Sequence, residues 1–316
     1  MTPAPDGSPA PDARLTSFTR DGLVFDVVDA GPLDGDPVVL LHGFPERASS
    51  WAAVAPLLHA AGLRTFAPDQ RGYSPRARPP RVRDYGVLAL ADDVAALIGA
   101  IGEHTGRPGP VHLVGHDWGS AVGWAVASVH PDLLRSWTAV SVPHLAAFLR
   151  AEVTSTQILK SAYFLPFWTP RLVPALARRR GGLVHRALAA SGMTPAEVDR
   201  FHAEMVEDAA LPTALNWYRA MPFGVLSERA TTRTRITVPT TLVWSDGDVA
   251  IGRAGVDGTA RWVAADYRLV VLPGVSHWIP TQAPEALAEA VLDRVSRVSQ
   301  ASPDSHDSRN GGAGAR

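Results

Sequence analysis

Cysteine is absent from the 316 residues, which excludes disulfides, thiolate metal sites and a cysteine nucleophile. No apolar run approaches the ~20 residues needed to span a bilayer. A surplus of positive charge is missing too. The 30 Lys and Arg stand against 31 Asp and Glu, a formal charge of −1, whereas nucleic-acid binders usually carry a basic surplus or stripe. The one tight basic run, Arg178–Arg180, reads as a solvated helix end. The opening stretch, MTPAPDGSPAPDAR, lacks the charged start and apolar core of a signal peptide, so the expected location is cytoplasmic. No internal repeat is visible.

What the chain does contain is a series of short, continuous apolar runs, each followed by a turn and then a helical pattern. They are Val38–Leu41, Thr65–Ala67, Val111–Val114, Trp137–Val140, Thr241–Trp244 and Leu269–Leu272. Continuous rather than alternating runs point to strands covered on both faces, as in a parallel sheet. Helix-length segments lie between them, clearest from about Leu88 to His104 and from Pro284 to about Arg297. The expected fold is therefore α/β, a mostly parallel, doubly wound sheet. From 144 to 230 the rhythm breaks into an aromatic- and proline-rich, mainly helical stretch, read as a cap inserted over the strands' carboxyl ends. The core then comprises 14–143 and 231–298. The polar ends, 1–13 and 299–316, are too rich in Gly, Ser and Pro to pack and are expected to be disordered.

The most informative stretch runs from Val111 to Ser120, in which a strand enters Gly115-His116-Asp117-Trp118-Gly119 and leaves as a helix. Gly-x-Asp-x-Gly is the nucleophile-elbow pattern with a carboxylate in place of the usual serine. The turn is so sharp that a β-carbon two positions either side of its tip would collide with the adjacent strand or helix. A mere helix cap, the alternative for Asp117, requires no such pair of glycines. Ser120 lies three positions past the tip, inside the expected helix. A carboxylate nucleophile displaces at sp³ carbon and forms an alkyl ester, which must then be hydrolysed.

Hydrolysis calls for a base, an orienting acid and an oxyanion hole. In the order nucleophile, acid, histidine, the base is His277, in the loop after the last strand run. The acid belongs in Trp244–Val249, where both Asp246 and Asp248 qualify; Asp248, further out in the loop, is favoured and Asp246 is assigned to the turn. Backbone amides of Phe44, in His42-Gly43-Phe44-Pro45-Glu46, and of Trp118 are placed to converge on the ester oxygen.

With these pieces in place, the chain resembles the epoxide hydrolases of the α/β-hydrolase superfamily. The resemblance rests on His42–Glu46, Asp69-Gln70-Arg71-Gly72-Tyr73-Ser74, Gly115–Gly119, Leu215-Asn216-Trp217-Tyr218-Arg219 and Gly274–Trp278, and spans about 20 to 298. It implies two cap tyrosines that hold the epoxide oxygen and protonate it as the ring opens. Tyr218 matches the second closely, and Tyr163 fits the first by its distance from the nucleophile. It also implies an epoxide and water as the only partners, with no metal or organic cofactor. The related dehalogenases share the first and third motifs. Many of them place Asn where this chain has Phe44, or Arg where it has Trp118, although Trp118 also occurs in the haloalkane group. Dehalogenation is the nearest rival activity, and non-catalytic binding of a small molecule is the rival from another class.

Overall fold

The computed structural model of the chain describes residues 14–227 and 234–301, apart from the side chains of residues 162, 163 and 222–227. Its strands are β1 (Ser17–Arg20), β2 (Leu23–Ala30), β3 (Asp36–Leu41), β4 (Leu63–Pro68), β5 (Val111–His116), β6 (Leu134–Val140), β7 (Thr240–Ser245) and β8 (Tyr267–Leu272). They form one eight-stranded sheet in the order β1-β2-β4-β3-β5-β6-β7-β8. All neighbours from β4 to β8 are parallel, and β1 and β2 add an antiparallel edge. The expected mostly parallel α/β sheet is what the chain forms.

The antiparallel edge has a local cause. Asp21 and Gly22 both take positive φ, 50° and 76°, which is the two-residue turn that suits the twist of a hairpin. Phe18 then faces Phe25 across the two strands, with ring centroids 4.6 Å apart.

Alternate residues of the central strands feed two separate apolar layers. Val39, Leu41 and Leu113 pack with helices Val87–Thr105 and Trp118–Val129 on one face. Val38, Leu40 and Val114 pack with helix Pro284–Ala301 on the other. This two-sided burial explains the continuous apolar runs, and truncating any one of these leucines to alanine should cost about 2–5 kcal/mol. Helix Val87–Thr105 buries Leu90, Val94, Leu97, Ile98 and Ile101, then stops at Gly106, whose φ of 65° supplies the left-handed cap.

Between β6 and β7 the described chain is helical, from Leu145–Thr154 to Asn216–Ser227. Trp217 fastens this segment to the sheet domain, its indole N–H donating to the Arg71 carbonyl at 2.8 Å. The start of the expected cap, His144, caps the first of these helices, whereas its end at 230 lies outside the described residues. The expected disordered tail requires one correction. The last helix runs through Ser299 and Gln300 to Ala301, because their side chains bond one turn back, to Val295 and Ser296. The remainder of that tail, and residues 1–13, lie outside the described residues. No described helix is long and apolar enough to cross a membrane.

Candidate active site

Four loops leave the carboxyl ends of β3, β5, β7 and β8 and bring Phe44, Asp117, Asp248 and His277 together. Asp117 sits at the junction of β5 and helix Trp118–Val129 with φ 52° and ψ −118°. For a residue with a β-carbon this is a strained backbone, the kind that persists where surrounding structure enforces it. The flanking glycines enforce it here. A β-carbon on Gly115 would collide with the Gly119 carbonyl, and one on Gly119 with the carbonyl of Leu41 in β3. Asp117 occupies the helix cap position, but its side chain makes no capping hydrogen bond. Its carboxylate is turned instead toward the loops.

There Oδ1 accepts from the Phe44 amide at 2.8 Å, and Oδ2 lies 3.4 Å from His277 Nε2. The other imidazole nitrogen, Nδ1, is 2.7 Å from Asp248 Oδ2. Asp248 is itself held, its Oδ1 accepting from the amides of Ala250 and Ile251, each at 2.8 Å. Asp246 stays apart, where its Oδ1 accepts from the Gly274 amide at 2.6 Å within the turn. Ser120 also points away, its buried hydroxyl donating to the Val142 carbonyl at 2.9 Å.

Electrostatics follow from this stacking of acid, base and acid. Burial alone would lower the His277 imidazole, but the Asp248 and Asp117 carboxylates on its two nitrogens raise it well above the ordinary histidine value. Burial alone would likewise raise Asp117. Its hydrogen bond to His277, the His277 charge and the Phe44 amide outweigh that and lower it. Both shifts favour the carboxylate on Asp117 and the protonated ring on His277.

The helical segment between β6 and β7 supplies the opposite wall. Tyr218, almost wholly buried, sets its ring edge-on to Phe44 and Trp118, both centroids 5.1 Å away. Phe44 is the residue whose amide donates to the carboxylate, and Trp118 follows Asp117 in the chain. Phe164 and Phe167 close the other side of the Tyr218 ring at 5.0 and 4.8 Å. Arg219 ties its helix to the turn Ser161–Trp168, donating to the carbonyls of Phe167 and Pro170 at 2.9 and 3.2 Å. The Tyr163 side chain lies outside the described residues.

Two residues within the quoted motifs were given no role from sequence. His116 donates from Nε2 to the His277 carbonyl at 2.9 Å, joined there by the Ser141 hydroxyl at 3.2 Å. Glu46 lies nearby, its Oε2 3.4 Å from His116 Nδ1 and its Oε1 accepting from Arg200, in the helical segment between β6 and β7, at 3.0 Å. The signal was available: an acid and a histidine, each within two residues of one assigned to the site.

The chain is similar to known proteins. The family model described as the alpha/beta hydrolase fold matches residues 36–284. An AB hydrolase superfamily protein of Bacillus subtilis, YfhM, is 33% identical, covering 86% of this chain and 94% of its own. Epoxide hydrolase A of Mycobacterium tuberculosis is 30% identical over 90% of this chain and 97% of its own. Among solved structures, an epoxide hydrolase from Vigna radiata superposes with a TM-score of 0.76 at 25% identity, covering 89% of this chain and 97% of that one. The family match encloses all four loops that meet at Asp117, from the one after β3 to the one after β8, and these relatives span the chain nearly end to end; the chain belongs to the α/β-hydrolase fold family.

Proposed function

We infer that this chain is an epoxide hydrolase, converting an epoxide and water to a vicinal diol. The observation that carries the reading is a carboxylate at the elbow tip, Asp117, with His277 Nε2 3.4 Å from its Oδ2 and Asp248 behind the imidazole. The names of the M. tuberculosis and V. radiata relatives support the same reaction. Residues 144–230 act as the cap, and its aromatic wall around Tyr218 suits an apolar epoxide.

In this mechanism Asp117 Oδ2 attacks one oxirane carbon as that carbon's bond to oxygen breaks. Tyr218 and Tyr163 hold the leaving oxygen and give it a proton, which an alkoxide requires and a phenol near pKa ~10 can deliver. The product is an alkyl ester on Asp117. Its carbonyl oxygen, Oδ1, is already bonded to the Phe44 amide at 2.8 Å, and Trp118 supplies the second amide. His277, held by Asp248, then takes a proton from water. The resulting hydroxide adds to the ester carbonyl carbon, and the tetrahedral oxyanion rests on the two amides. Collapse breaks the bond between that carbon and Oδ2, the alkoxide takes the proton from His277, the carboxylic acid left on Asp117 returns a proton to the tyrosinate, and the diol departs. Losing one such amide typically costs ~3 kcal/mol of barrier. The partners are a small epoxide and water, with neither nucleic acid nor a membrane-spanning segment in the scheme. A cytoplasmic location completes this reading and rests on composition.

The test is a single turnover of styrene oxide in oxygen-18 water with enzyme in excess. The label should appear in Asp117 and not in the diol, because the diol takes its second oxygen from Oδ2. Label found directly in the diol refutes the covalent scheme. Halide release from haloalkanes and haloacetates, followed in parallel and exceeding diol formation, would favour dehalogenation.

A further inference from the structure

The loop that carries Asp248 is held from the cap by a short helix with no role so far, Gln157–Lys160. The Gln157 side chain is buried, and its amide spans the loop backbone. Its Oε1 accepts from the Gly252 amide at 2.7 Å, and its Nε2 donates to the Ala250 carbonyl at 2.7 Å. A further bond, 3.2 Å, runs from Nε2 to the Ser161 hydroxyl, at the start of the turn that includes Tyr163 in sequence. The chain's one lysine, Lys160, donates to the carbonyl of Asp248 itself at 2.9 Å. Gly252 fits closely beneath: a β-carbon there would lie 3.1 Å from Gln157 Oε1.

We propose that Gln157, assisted by Lys160, is a positioning residue for the ester-hydrolysis step: it fixes the loop amides that orient Asp248, and through Asp248 it orients His277. The role rests on the Asp117, His277 and Asp248 assignment above. Ala250 is the joint of the device. Its amide holds Asp248 Oδ1 at 2.8 Å while its carbonyl is held by Gln157. The Ala250 carbonyl shares its peptide with the Ile251 amide, which also holds Asp248 Oδ1 at 2.8 Å, so rotation of that peptide would release the Gln157 bond and the Ile251 bond at once. Only a side chain offering one donor and one acceptor about a peptide's width apart can hold N–H and C=O groups two residues apart, and the amide of glutamine does so. Ring opening does not need His277 as a base, whereas ester hydrolysis does. The device therefore acts on the second half-reaction. It also makes Asp248's orientation depend on the cap segment continuous with Tyr163, so that a cap in place and a base in place become one condition.

The experiment compares full-length wild type, Gln157→Leu, Gln157→Glu and Lys160→Met with styrene oxide by rapid quench, with intact-mass detection of the Asp117 ester. His277→Gln is the reference in which ester must accumulate. In Gln157→Leu the hydrolysis rate constant should fall about 10- to 100-fold, the scale of a sub-ångström to ångström misplacement. Ester formation should stay within about 3-fold, so that ester builds up. Gln157→Glu, which keeps the acceptor and loses the donor, should fall between. The acid limb of the hydrolysis rate should move to lower pH in Gln157→Leu, since a loosely held Asp248 stabilises the imidazolium less. Should Gln157→Leu fail to fold, Lys160→Met carries the same prediction in weaker form, a hydrolysis-selective loss of about 3-fold or more. Parallel loss of both rate constants, or an unmoved limb, would mean packing alone and overturn the role. No ester in the His277→Gln reference would overturn the covalent reading beneath it.

Discussion

The imidazole of His277 lies between two carboxylates, with Nδ1 2.7 Å from Asp248 and Nε2 3.4 Å from Asp117. Esterification of Asp117 removes one of the two charges, and Asp117→Asn imitates that loss without substrate. An opposite charge at such range shifts a titrating group by about 1–3 units. The His277 value, raised well above that of an ordinary histidine by the pair against the opposing effect of burial, should therefore fall in Asp117→Asn. The sign has a kinetic consequence. The raised value favours the imidazolium in the resting enzyme, a form that cannot take a proton from water. In the ester His277 is held by Asp248 alone, titrates lower, and becomes the base when the base is needed. The rate of ester hydrolysis should thus rise with pH through a value below that of the resting enzyme. By linkage, the raised value stabilises the fold fully below the unfolded pKa of ~6.5, and that contribution is lost as pH rises through the folded value. Imidazole NMR titration of wild type and Asp117→Asn measures the shift directly, and stopped-flow decay of the ester against pH measures its use. Equal values in the two proteins, or a higher one in Asp117→Asn, would refute the reasoning.

Other substitutions separate the remaining roles. Tyr218→Phe keeps the ring against Phe44, Trp118, Phe164 and Phe167; it should slow ester formation about 100-fold or more with little change in melting temperature, and an unchanged rate removes the proton from Tyr218. Asp248→Asn should stall at the ester, whereas Asp246→Ala loses one turn hydrogen bond, from the Gly274 amide, and about 0.5–1.5 kcal/mol of stability; the reverse pattern in quench and urea-unfolding assays would exchange the two aspartates. Gly119→Ala forces a methyl into the Leu41 carbonyl, and Gly115→Ala one into the Gly119 carbonyl. Each should cost at least about 1–3 kcal/mol and most of the activity, and a fully stable, active variant would contradict the elbow geometry.

Legibility in the sequence followed from how local each constraint is. The elbow was readable because its glycines are required by atoms only a few residues or one strand away, the carbonyls of Gly119 and Leu41. The central strands were readable because both their faces are buried, which leaves a continuous apolar run. The hairpin β1–β2 was passed over for the converse reason. An edge pair alternates, and Phe18, Phe25 and Val27 do not form a run, although Asp21-Gly22 was the turn signal that marks it. Asp248 was separable from Asp246 by its place in the loop, and the structure puts the former 2.7 Å from His277 and the latter in the turn.

Gln157 was not legible, and the reason is physical. Its partners, Ala250 and Gly252, are 93 and 95 residues away, and it bonds their backbone rather than their side chains. A peptide N–H or C=O belongs to nearly every residue type, so such a bond leaves no chemical trace at its far end. Lys160 on the Asp248 carbonyl and His116 on the His277 carbonyl are of the same kind. The nucleophile, base and acid need particular side chains and so declare themselves in sequence. The groups that aim them work through the main chain, and only the folded molecule brings them into view.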